Sequence, residues 1–366
     1  MNKTTKSLHT KVDTQLAHPA VTPLYQNSAF ESQSEFFYSR KNNPNVQEFE
    51  EAVCVLEESK YGIATTTGMS AINLSLSILK PGQTIVLNKY IYGCTFKLFQ
   101  WFASHYGLKL IVEDLSQLSE VVHHADFVFF ETPTNPFLFS VDIKHVAASY
   151  KKLNSKCVIV VDNTWATPLY QQPCSLGADI SLHSATKYIS GHSDVMGGII
   201  LTNNVEVSER LRNQRFYTGA NLDPHSAWLL RRSLHTLEVR LEKQGETTRR
   251  IADYLKEKSE VSKVYYPEID GDQLKNYATL LFFDLDVSMV EKYPQFSDHL
   301  SLFSTGTGMA CVTSMVAQPY TGSHASMDDA EKGAMGLFPA TIRLSFGLEN
   351  AEDLINDLVY AFKALH

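Results

Sequence analysis

The stretch VIVVDNTWATPLYQQPCSLGADISLHSATKYISGHSDVMGG, residues 158–198, decides the fold of this chain. It begins with an apolar run that ends in Asp162, as a buried parallel strand does when it brings a carboxylate to the edge of a sheet. About 25 residues later comes Lys187, which Ser184 and Thr186 precede and glycines follow. The pattern predicts an acid and a lysine at neighbouring strand ends of an α/β sheet.

An acid and a hydroxyl-flanked lysine at this spacing are groups that pyridoxal 5′-phosphate requires. The lysine forms a Schiff base with the aldehyde of the cofactor, the acid keeps the pyridine nitrogen protonated, and the hydroxyls bind the phosphate. The alternative is a surface lysine that happens to follow a strand. The spacing alone does not choose between these two interpretations.

Bulk composition narrows the class of protein. A chain of 366 residues is long enough for a large core and two globular parts, and 44% hydrophobic with 20% charged residues is ordinary for a soluble protein. A formal charge of −8 without a basic stripe disfavours nucleic-acid binding. The polar N-terminus and the lack of 18 consecutive apolar residues predict neither a signal peptide nor a membrane span.

The cysteines and histidines do not indicate a metal site. The 5 cysteines contain no CxxC pair, so neither a zinc site nor a disulfide framework is indicated, and free thiols favour the cytoplasm. His183 and His192 have no acidic or cysteine ligands in a metal-binding pattern, so packed or hydrogen-bonded histidines are expected instead.

The pattern along the chain predicts three regions. Residues 1–42 lack a strong period and are expected to form an extended arm, which needs a partner surface. Residues 43–238 alternate strands such as TIVLN, LKLIVED, DFVFF and GGIILTN with helical segments, which predicts a mainly parallel sheet with helices on both faces. Residues 239–366 alternate strands and helices again, which predicts a smaller α/β domain.

The wording of these segments resembles the Cys/Met-metabolism family of pyridoxal-phosphate enzymes, which includes cystathionine γ-synthase, cystathionine lyases, methionine γ-lyase and homoserine sulfhydrylases. The resemblance runs from about residue 21 to the C-terminus and is strongest over residues 158–198. It implies the fold-type I architecture with a mainly parallel seven-stranded sheet. It also implies pyridoxal 5′-phosphate as cofactor, a small amino-acid substrate and a homo-oligomer of at least two subunits, usually a tetramer in this family.

The resemblance assigns the cofactor contacts. The turn TTGMSAI matches the phosphate loop of the family, Tyr92 matches a tyrosine that stacks on the pyridine ring, and Asn135 matches a residue beside the ring hydroxyl. Tyr38 and Arg40, in the wording YSR, match residues that reach the cofactor phosphate of a neighbouring subunit. The implied cofactor-binding set is Tyr38, Arg40, Thr67, Gly68, Met69, Tyr92, Asn135, Asp162, Ser184, Thr186 and Lys187.

Without the resemblance, these residues have structural interpretations. Tyr92 is then a core aromatic, Asn135 an ordinary Asn-Pro turn residue, and Arg40 a solvated arginine beside a packed aromatic. The unpaired amides of the TTGM turn are then an ordinary feature of a turn that precedes a helix, and not a phosphate site.

The residues implied for the substrate are spread over the chain. Arg343, in TIRLSFGLE, matches an arginine that binds the substrate carboxylate through two parallel bonds; the alternative is a surface arginine on an edge strand. The implied substrate-binding set is Arg343, Asn135, Phe37, Cys94 and Thr307. Three features resemble the sequence of methionine γ-lyase: the apolar Phe37, the motif YGCT around Cys94, and Pro224-His225.

The resemblance implies γ-elimination from a γ-substituted amino acid. Lys187 and Tyr92 would move protons, with the pKa of Tyr92 lowered by nearby cations, and Asp162 would strengthen the electron sink. Thr307-Gly308-Met309 in place of the family's SLG, and Arg215-Phe216 in place of a lysine and an aspartate, disfavour methionine as the substrate.

Other activities stay open. A γ-replacement transferase of the cystathionine γ-synthase or O-acylhomoserine sulfhydrylase type and a cystathionine lyase use the same cofactor site. A catalytically silent binding protein with this fold is the alternative from another class. It is disfavoured because a binding protein has no need for a proton-transferring lysine such as Lys187.

Overall fold

A computed structural model describes residues 18–121, 123–277 and 279–366. The strands are β1 Tyr61–Thr65, β2 Thr84–Asn88, β3 Lys109–Glu113, β4 Phe127–Glu131, β5 Val158–Asp162, β6 Ile180–His183, β7 Gly198–Thr202, β8 Val261–Tyr265, β9 Leu280–Leu285, β10 Ser304–Thr305, β11 Met315–Ala317 and β12 Thr341–Ser345. The α-helices are α1 Pro44–Glu57, α2 Gly68–Leu76, α3 Gly93–Tyr106, α4 Ile143–Leu153, α5 Thr167–Tyr170, α6 Val205–Thr218, α7 Pro224–Leu234, α8 Leu237–Lys256, α9 Tyr293–Asp298, α10 Asp329–Met335 and α11 Ala351–Lys363.

The larger sheet has 7 strands in the order β1-β7-β6-β5-β4-β2-β3. The strands from β6 to β3 pair in parallel, whereas β7 runs antiparallel to both of its neighbours, β6 and β1. This arrangement confirms the prediction of a mainly parallel seven-stranded sheet.

The central strands of this sheet are buried on both faces, which explains their continuous apolar runs. Phe129 and Val160 pack on one face in a hydrophobic cluster with residues of α2 and α3. Val128 and Val161 point the other way, into a cluster with residues of α4. Because helices cover both faces, a ligand can reach this sheet only at the strand ends.

The C-terminal part of the chain forms a second sheet of 5 strands, in the order β10-β11-β12-β9-β8. One face packs against α8 and α11 through residues such as Leu255, Leu344 and Leu358. The apolar segments VSKVYY, ATLLFFDLD and TIRLSFGLE, which predict strands, contain β8, β9 and β12. Strands β10 and β11 were not predicted, because two or three residues are too few for an alternating pattern to show.

The predicted arm is described from residue 18 onward, and its first 17 residues lie outside the described residues. Residues 18–42 contain no helix or strand, and a single bridge pairs Ala29 with Tyr38. Hydrogen bonds tie the segment to the large domain: the Tyr25 amide donates to Asn45, and the Trp228 indole donates to the Thr22 carbonyl. That the arm reaches a neighbouring subunit, and that a domain boundary lies after residue 238, stay predictions.

Candidate active site

A cavity of about 500 Å³ lies at the carboxyl ends of the central parallel strands. Asp162 is the last residue of β5, and Lys187 follows β6 by four residues. The neighbouring parallel strands therefore bring both residues to one edge of the sheet. The cavity is lined by these predicted site residues: Thr67, Gly68, Met69, Tyr92, Asn135, Asp162, Ser184, Thr186, Lys187 and Thr307.

One end of the cavity is the N-terminus of α2. The Thr67 hydroxyl caps this helix by accepting a hydrogen bond of 3.0 Å from the Ser70 amide. Within the described chain, no acceptor bonds to the amides of Gly68 and Met69, so both can bind an anion. A Cβ atom on Gly68 would lie 2.7 Å from the Cβ atom of Ser184, so only glycine allows this approach.

Lys187 supplies an amine that loses its proton easily. Burial, and then the nearby positive charge of Arg343, lower the pKa of Lys187 to about 8. No hydrogen bond or ion pair holds its Nζ atom among the residues that the structure describes. The amine is thus free for covalent chemistry and for proton transfer near neutral pH.

Asp162 is a buried carboxylate that local donors support. Burial raises the pKa of Asp162, while the Thr164 hydroxyl and amide, and then His183, act in the opposite direction. The Thr164 amide donates to Asp162 over 3.0 Å, and the Thr164 hydroxyl also donates to Asp162. Thr164 in turn accepts from the Ser184 amide over 2.8 Å, which ties the end of β5 to the segment after β6.

Sequence reasoning missed Glu131, which also lines the cavity. It is the last residue of β4 and the register partner of Asp162. Its carboxyl accepts hydrogen bonds from the Tyr92 amide at 2.8 Å and from the Trp165 indole at 3.3 Å. Burial, and then the charge of Asp162, raise the pKa of Glu131 well above its usual range. The run DFVFFE carries the signal that identified Asp162, an acid directly after an apolar strand.

Tyr92 lies in the cavity wall, but the expectation that cations lower its pKa is wrong. Burial raises the pKa of Tyr92, and the Cys94 thiol raises it further. Arg343 acts in the opposite direction and is the smallest of these influences. The phenol of the protein alone is therefore a proton donor at neutral pH.

Arg343 is buried on β12 and not on the surface of an edge strand. One of its terminal nitrogens donates to the carbonyls of Thr307 at 3.1 Å and Gly308 at 3.2 Å. Its Nε atom is buried without a partner in the described chain, and burial lowers the pKa of the guanidinium to about 10. Arg343 itself does not line the cavity, whereas Thr307, whose carbonyl accepts from it, does. Its role in binding a carboxylate stays a prediction.

The remaining predicted residues do not line this cavity within a single chain. The Phe37 side chain is 68% exposed, and Tyr38 precedes Arg40 on the same outer segment. Arg40 donates to the Phe216 carbonyl and stacks over the Phe216 ring at 4.3 Å. Cys94, in the first turn of α3, does not line the cavity and lies beside Tyr92, which does. Their assigned roles in the site stay predictions.

Arg215, which stands where methionine γ-lyases have a lysine, is buried in the chain. It forms an ion pair with Glu50 and donates to the carbonyls of Ala64 and Lys41. Its guanidinium therefore braces α6 against α1 and β1. It does not line the cavity around Lys187.

The two histidines of the central stretch are hydrogen-bonded, as predicted. His183 pairs with Glu57, and both side chains are buried; His192 bonds to the Ser190 carbonyl over 2.7 Å. In the described part of the chain, no group of three or more His, Cys, Asp and Glu side chains forms a metal site. Nor does any described helix have the length and apolar character to cross a bilayer.

The cavity fits pyridoxal 5′-phosphate. Two free amides at a helix N-terminus suit the phosphate, Lys187 suits the aldehyde, and Asp162 suits the pyridine nitrogen. The Oδ1 atom of Asn135 is buried without a hydrogen-bond partner in the described chain, as expected for an amide whose partner is a ligand. A family model described as "Cys/Met metabolism PLP-dependent enzyme" matches residues 4–363. The chain belongs to this family of pyridoxal-phosphate-dependent enzymes.

Relatives within the Cys/Met-metabolism family carry out different reactions. The chain is 35% identical to the cystathionine beta-lyase of Lactococcus lactis subsp. cremoris, with 98% of each chain covered. It is 33% identical to the L-methionine gamma-lyase of Fusobacterium nucleatum subsp. nucleatum, which covers 97% of this chain and 96% of the relative.

Solved structures of the family have the same fold. The crystal structure of cystathionine gamma synthase from Xanthomonas oryzae pv. oryzae, in complex with cystathionine, matches with a TM-score of 0.87 and 33% identity. The match covers 94% of this chain and 92% of that structure. The fold-type I architecture predicted for this family member is therefore confirmed.

Proposed function

We propose that this enzyme catalyses γ-elimination from an amino acid that carries a leaving group at Cγ. The observation that supports it best is the pairing of two proton carriers in one cavity wall, the Lys187 amine and the Tyr92 phenol. The pKa of Lys187 is lowered to about 8, whereas the pKa of Tyr92 is raised. Elimination needs such a pair, because a base takes a proton from carbon while an acid protonates the leaving group.

Each residue has a distinct task in this proposal. Bound pyridoxal 5′-phosphate supplies an electron sink for the Cα–H bond of the substrate. Lys187 takes the α-proton and then moves protons along the substrate, and Tyr92 donates to the departing group. Arg343 binds the substrate carboxylate, and Asp162 provides the negative charge for the pyridine nitrogen.

Apolar side chains support an apolar or small leaving group. Ile72, Met196 and Met309 line the cavity, and each charged side chain in its lining already has a task or a partner in the site. Phe37 is apolar where cystathionine γ-synthases tend to have an acid, as the family resemblance implies. An acyloxy or halide group, or a thioether other than that of methionine, therefore suits this cavity better than a charged group.

A second candidate is elimination from cystathionine. It is favoured by the 35% identity to a cystathionine beta-lyase and by Asp194, which lies in an adjoining cavity of about 370 Å³ that also contacts Lys187. In this second candidate function, the Asp194 carboxylate binds the distal ammonium group of cystathionine. β-Elimination from that substrate releases pyruvate, whereas γ-elimination releases α-ketobutyrate.

A substrate panel tests the proposal. Methionine, O-acetylhomoserine and cystathionine are each assayed for keto acid and ammonia, with and without an added thiol. α-Ketobutyrate formed without thiol from a substrate with an apolar leaving group is the expected result. Pyruvate from cystathionine, with a KM that rises in Asp194→Asn, supports the second candidate instead. Product that forms only when thiol is added identifies a γ-replacement transferase and overturns the proposal.

A further inference from the structure

Two carboxyl groups lie side by side at the edge of the large sheet. Glu131 ends β4, Asp162 ends β5, and the two are register partners in a parallel pair. Their side chains are 2% and 8% exposed. Since paired strands lie about 4.8 Å apart, two negative charges here would repel one another in a region of low dielectric constant. One of the two carboxyls is therefore expected to keep its proton.

The neighbours of the pair decide which carboxyl carries the charge. Asp162 accepts from the Thr164 amide and hydroxyl, and His183 also favours its ionised form. Glu131 accepts only from the Tyr92 amide and the Trp165 indole, and none of the ion pairs of the described residues includes it. The other titratable groups at the cavity are Tyr92 and Lys187.

Glu131 is also the contact that fixes the start of α3. Tyr92 is the N-cap residue of this helix, and its side chain makes no capping hydrogen bond because the phenol lines the cavity. Its amide is held by the Oε1 atom of Glu131 at 2.8 Å. The position of the phenol therefore depends on this acceptor oxygen. A carboxyl group provides such an oxygen whether or not it carries a charge.

We propose that Glu131 is a positioning residue: an uncharged carboxyl that fixes the Tyr92 backbone at the cavity wall and leaves the negative charge of the pair on Asp162. The part concerning Tyr92 rests on the proposed function, since it matters only if the phenol moves a proton. The part concerning charge is a property of the folded chain and holds whatever the substrate is.

The charge is tested on the cofactor-free protein with Glu131→Gln. A carboxyl whose pKa rises on folding makes the folded state less stable as the pH climbs from its unfolded pKa, about 4.3, toward its folded pKa. Glutamine keeps the acceptor for Tyr92 and removes this loss. The variant is expected to have a higher Tm than the wild type at about pH 8, with the difference shrinking toward about pH 5.

A matched control is Glu113→Gln at the end of β3. Glu113 accepts from the Tyr150 hydroxyl over 2.7 Å and pairs with His123 at 3.3 Å, and its register partner is Asn88, which is not a carboxyl. Because the substitution removes these favourable contacts, it is expected not to raise the Tm above that of the wild type at any pH from about 5 to about 8. If Glu131→Gln behaves like the control or lowers the Tm at about pH 8, the proposal of an uncharged Glu131 is overturned.

The positioning role is tested on the holoenzyme by comparing two variants. Glu131→Ala removes the acceptor for the Tyr92 amide, so kcat is expected to fall about tenfold or more while KM changes less than about threefold. Glu131→Gln is expected to keep kcat within about threefold of the wild type, and the pH midpoint of the cofactor's visible absorption is expected to stay unchanged.

The kcat values of the variants and the Tm of the cofactor-free protein test different parts of the proposal. An alanine variant with wild-type kcat, or a glutamine variant as impaired as alanine, overturns the positioning role. If γ-elimination itself is absent, kcat is measured on whichever amino acid the enzyme turns over, and the stability of the cofactor-free protein still reports the charge of Glu131. Failure of the proposed function is thus distinguishable from failure of this inference.

Discussion

At the scale of single residues, Lys187 is the group on which both the cofactor and the proton transfers depend. Burial and the charge of Arg343 lower its pKa from 10.5 to about 8. A lysine in that state is a stronger nucleophile near neutral pH than one in solution, because a larger fraction is unprotonated. The same environment makes the protonated amine costly to keep inside the folded protein.

Replacing Lys187 with methionine should therefore have two effects. The purified variant should lack the visible absorption band of covalently bound pyridoxal phosphate and should have no activity, because no other amine contacts the cavity in the described chain. Lys144→Met is the control, since Lys144 is exposed in an ion pair with Asp272, and this variant should keep both. A Lys187→Met protein that retains the covalent band contradicts the assignment.

The second effect appears in the pH dependence of stability. A lysine whose pKa falls on folding binds its proton less tightly in the folded state, so the wild-type protein without cofactor gains stability as the pH rises from about 8 to about 10.5. Lys187→Met removes this dependence. Its Tm should exceed that of the cofactor-free wild type near pH 7 and approach it as the pH is raised, measured by thermal unfolding.

The sequence predicts the roles of residues that lie at strand ends, because a local pattern marks the strand. It does not predict contacts between elements that are distant in the chain. Asp162 and Lys187 were found because apolar runs precede them and parallel strands end at one edge. Glu131 ends a strand in the same way, but its importance depends on register with Asp162, which no local pattern encodes. The raised pKa of Tyr92 was missed because it arises chiefly from burial, which depends on how distant elements pack around the phenol.

At the scale of elements, the N-terminus of α2 holds the phosphate end of the cavity. The Thr67 hydroxyl caps the helix through the Ser70 amide, which leaves the amides of Gly68 and Met69 free. Thr67→Ala should cost about 1 kcal/mol of stability and weaken cofactor binding, because the uncapped first turn frays. Thr67→Ser should preserve both, since serine offers the same acceptor.

A second helix provides the control for this prediction. Asn204 caps α6 by accepting from the amides of Glu206 and Val207, away from the cavity. Asn204→Ala should lower stability by a similar amount and leave the dissociation constant of the cofactor unchanged, which thermal unfolding and titration with pyridoxal phosphate measure. If both variants lose cofactor affinity equally, the loss comes from general destabilisation of the protein. The prediction that fraying of the first turn of α2 weakens cofactor binding would then be contradicted.

Element lengths explain which part of the fold the sequence predicts best. The runs of 5 or 6 residues in β2, β4, β5 and β9 are long enough for apolar continuity to identify them. Strands β10 and β11 are short, and their pairing arises from neighbours in the second sheet. They flank the segment from Thr307 to Met309, so one of the two regions that depart from the family sequence lies where local patterns are least informative.

At the scale of the whole molecule, the cavity is incomplete if the arm acts on a neighbouring subunit. Arg40 does not line the cavity of its own chain and lies over Phe216. We predict that Arg40→Ala and Lys187→Ala, each inactive alone, regain activity when unfolded together and refolded as a mixture. About a quarter of the sites should be intact if subunits pair at random in symmetric dimers.

The control mixture combines Lys187→Ala with Arg343→Ala. Arg343 acts on Lys187 within one chain, so no mixed dimer contains an intact site and no activity should return. Activity in this mixture, or none in the first one, would contradict sharing of sites between subunits. Size-exclusion chromatography coupled to light scattering of the wild type should report at least a dimer.

The antiparallel position of β7 also has a consequence for synthesis of the protein. Strand β1 lies at the edge of the large sheet and pairs with β7, so Tyr61 meets Thr202 only after the intervening five strands exist. This long-range pairing raises the contact order of the domain and slows its folding. On the ribosome, the apolar residues of β1 therefore stay unpaired until β7 has been synthesised, and an unpaired apolar strand is prone to aggregate.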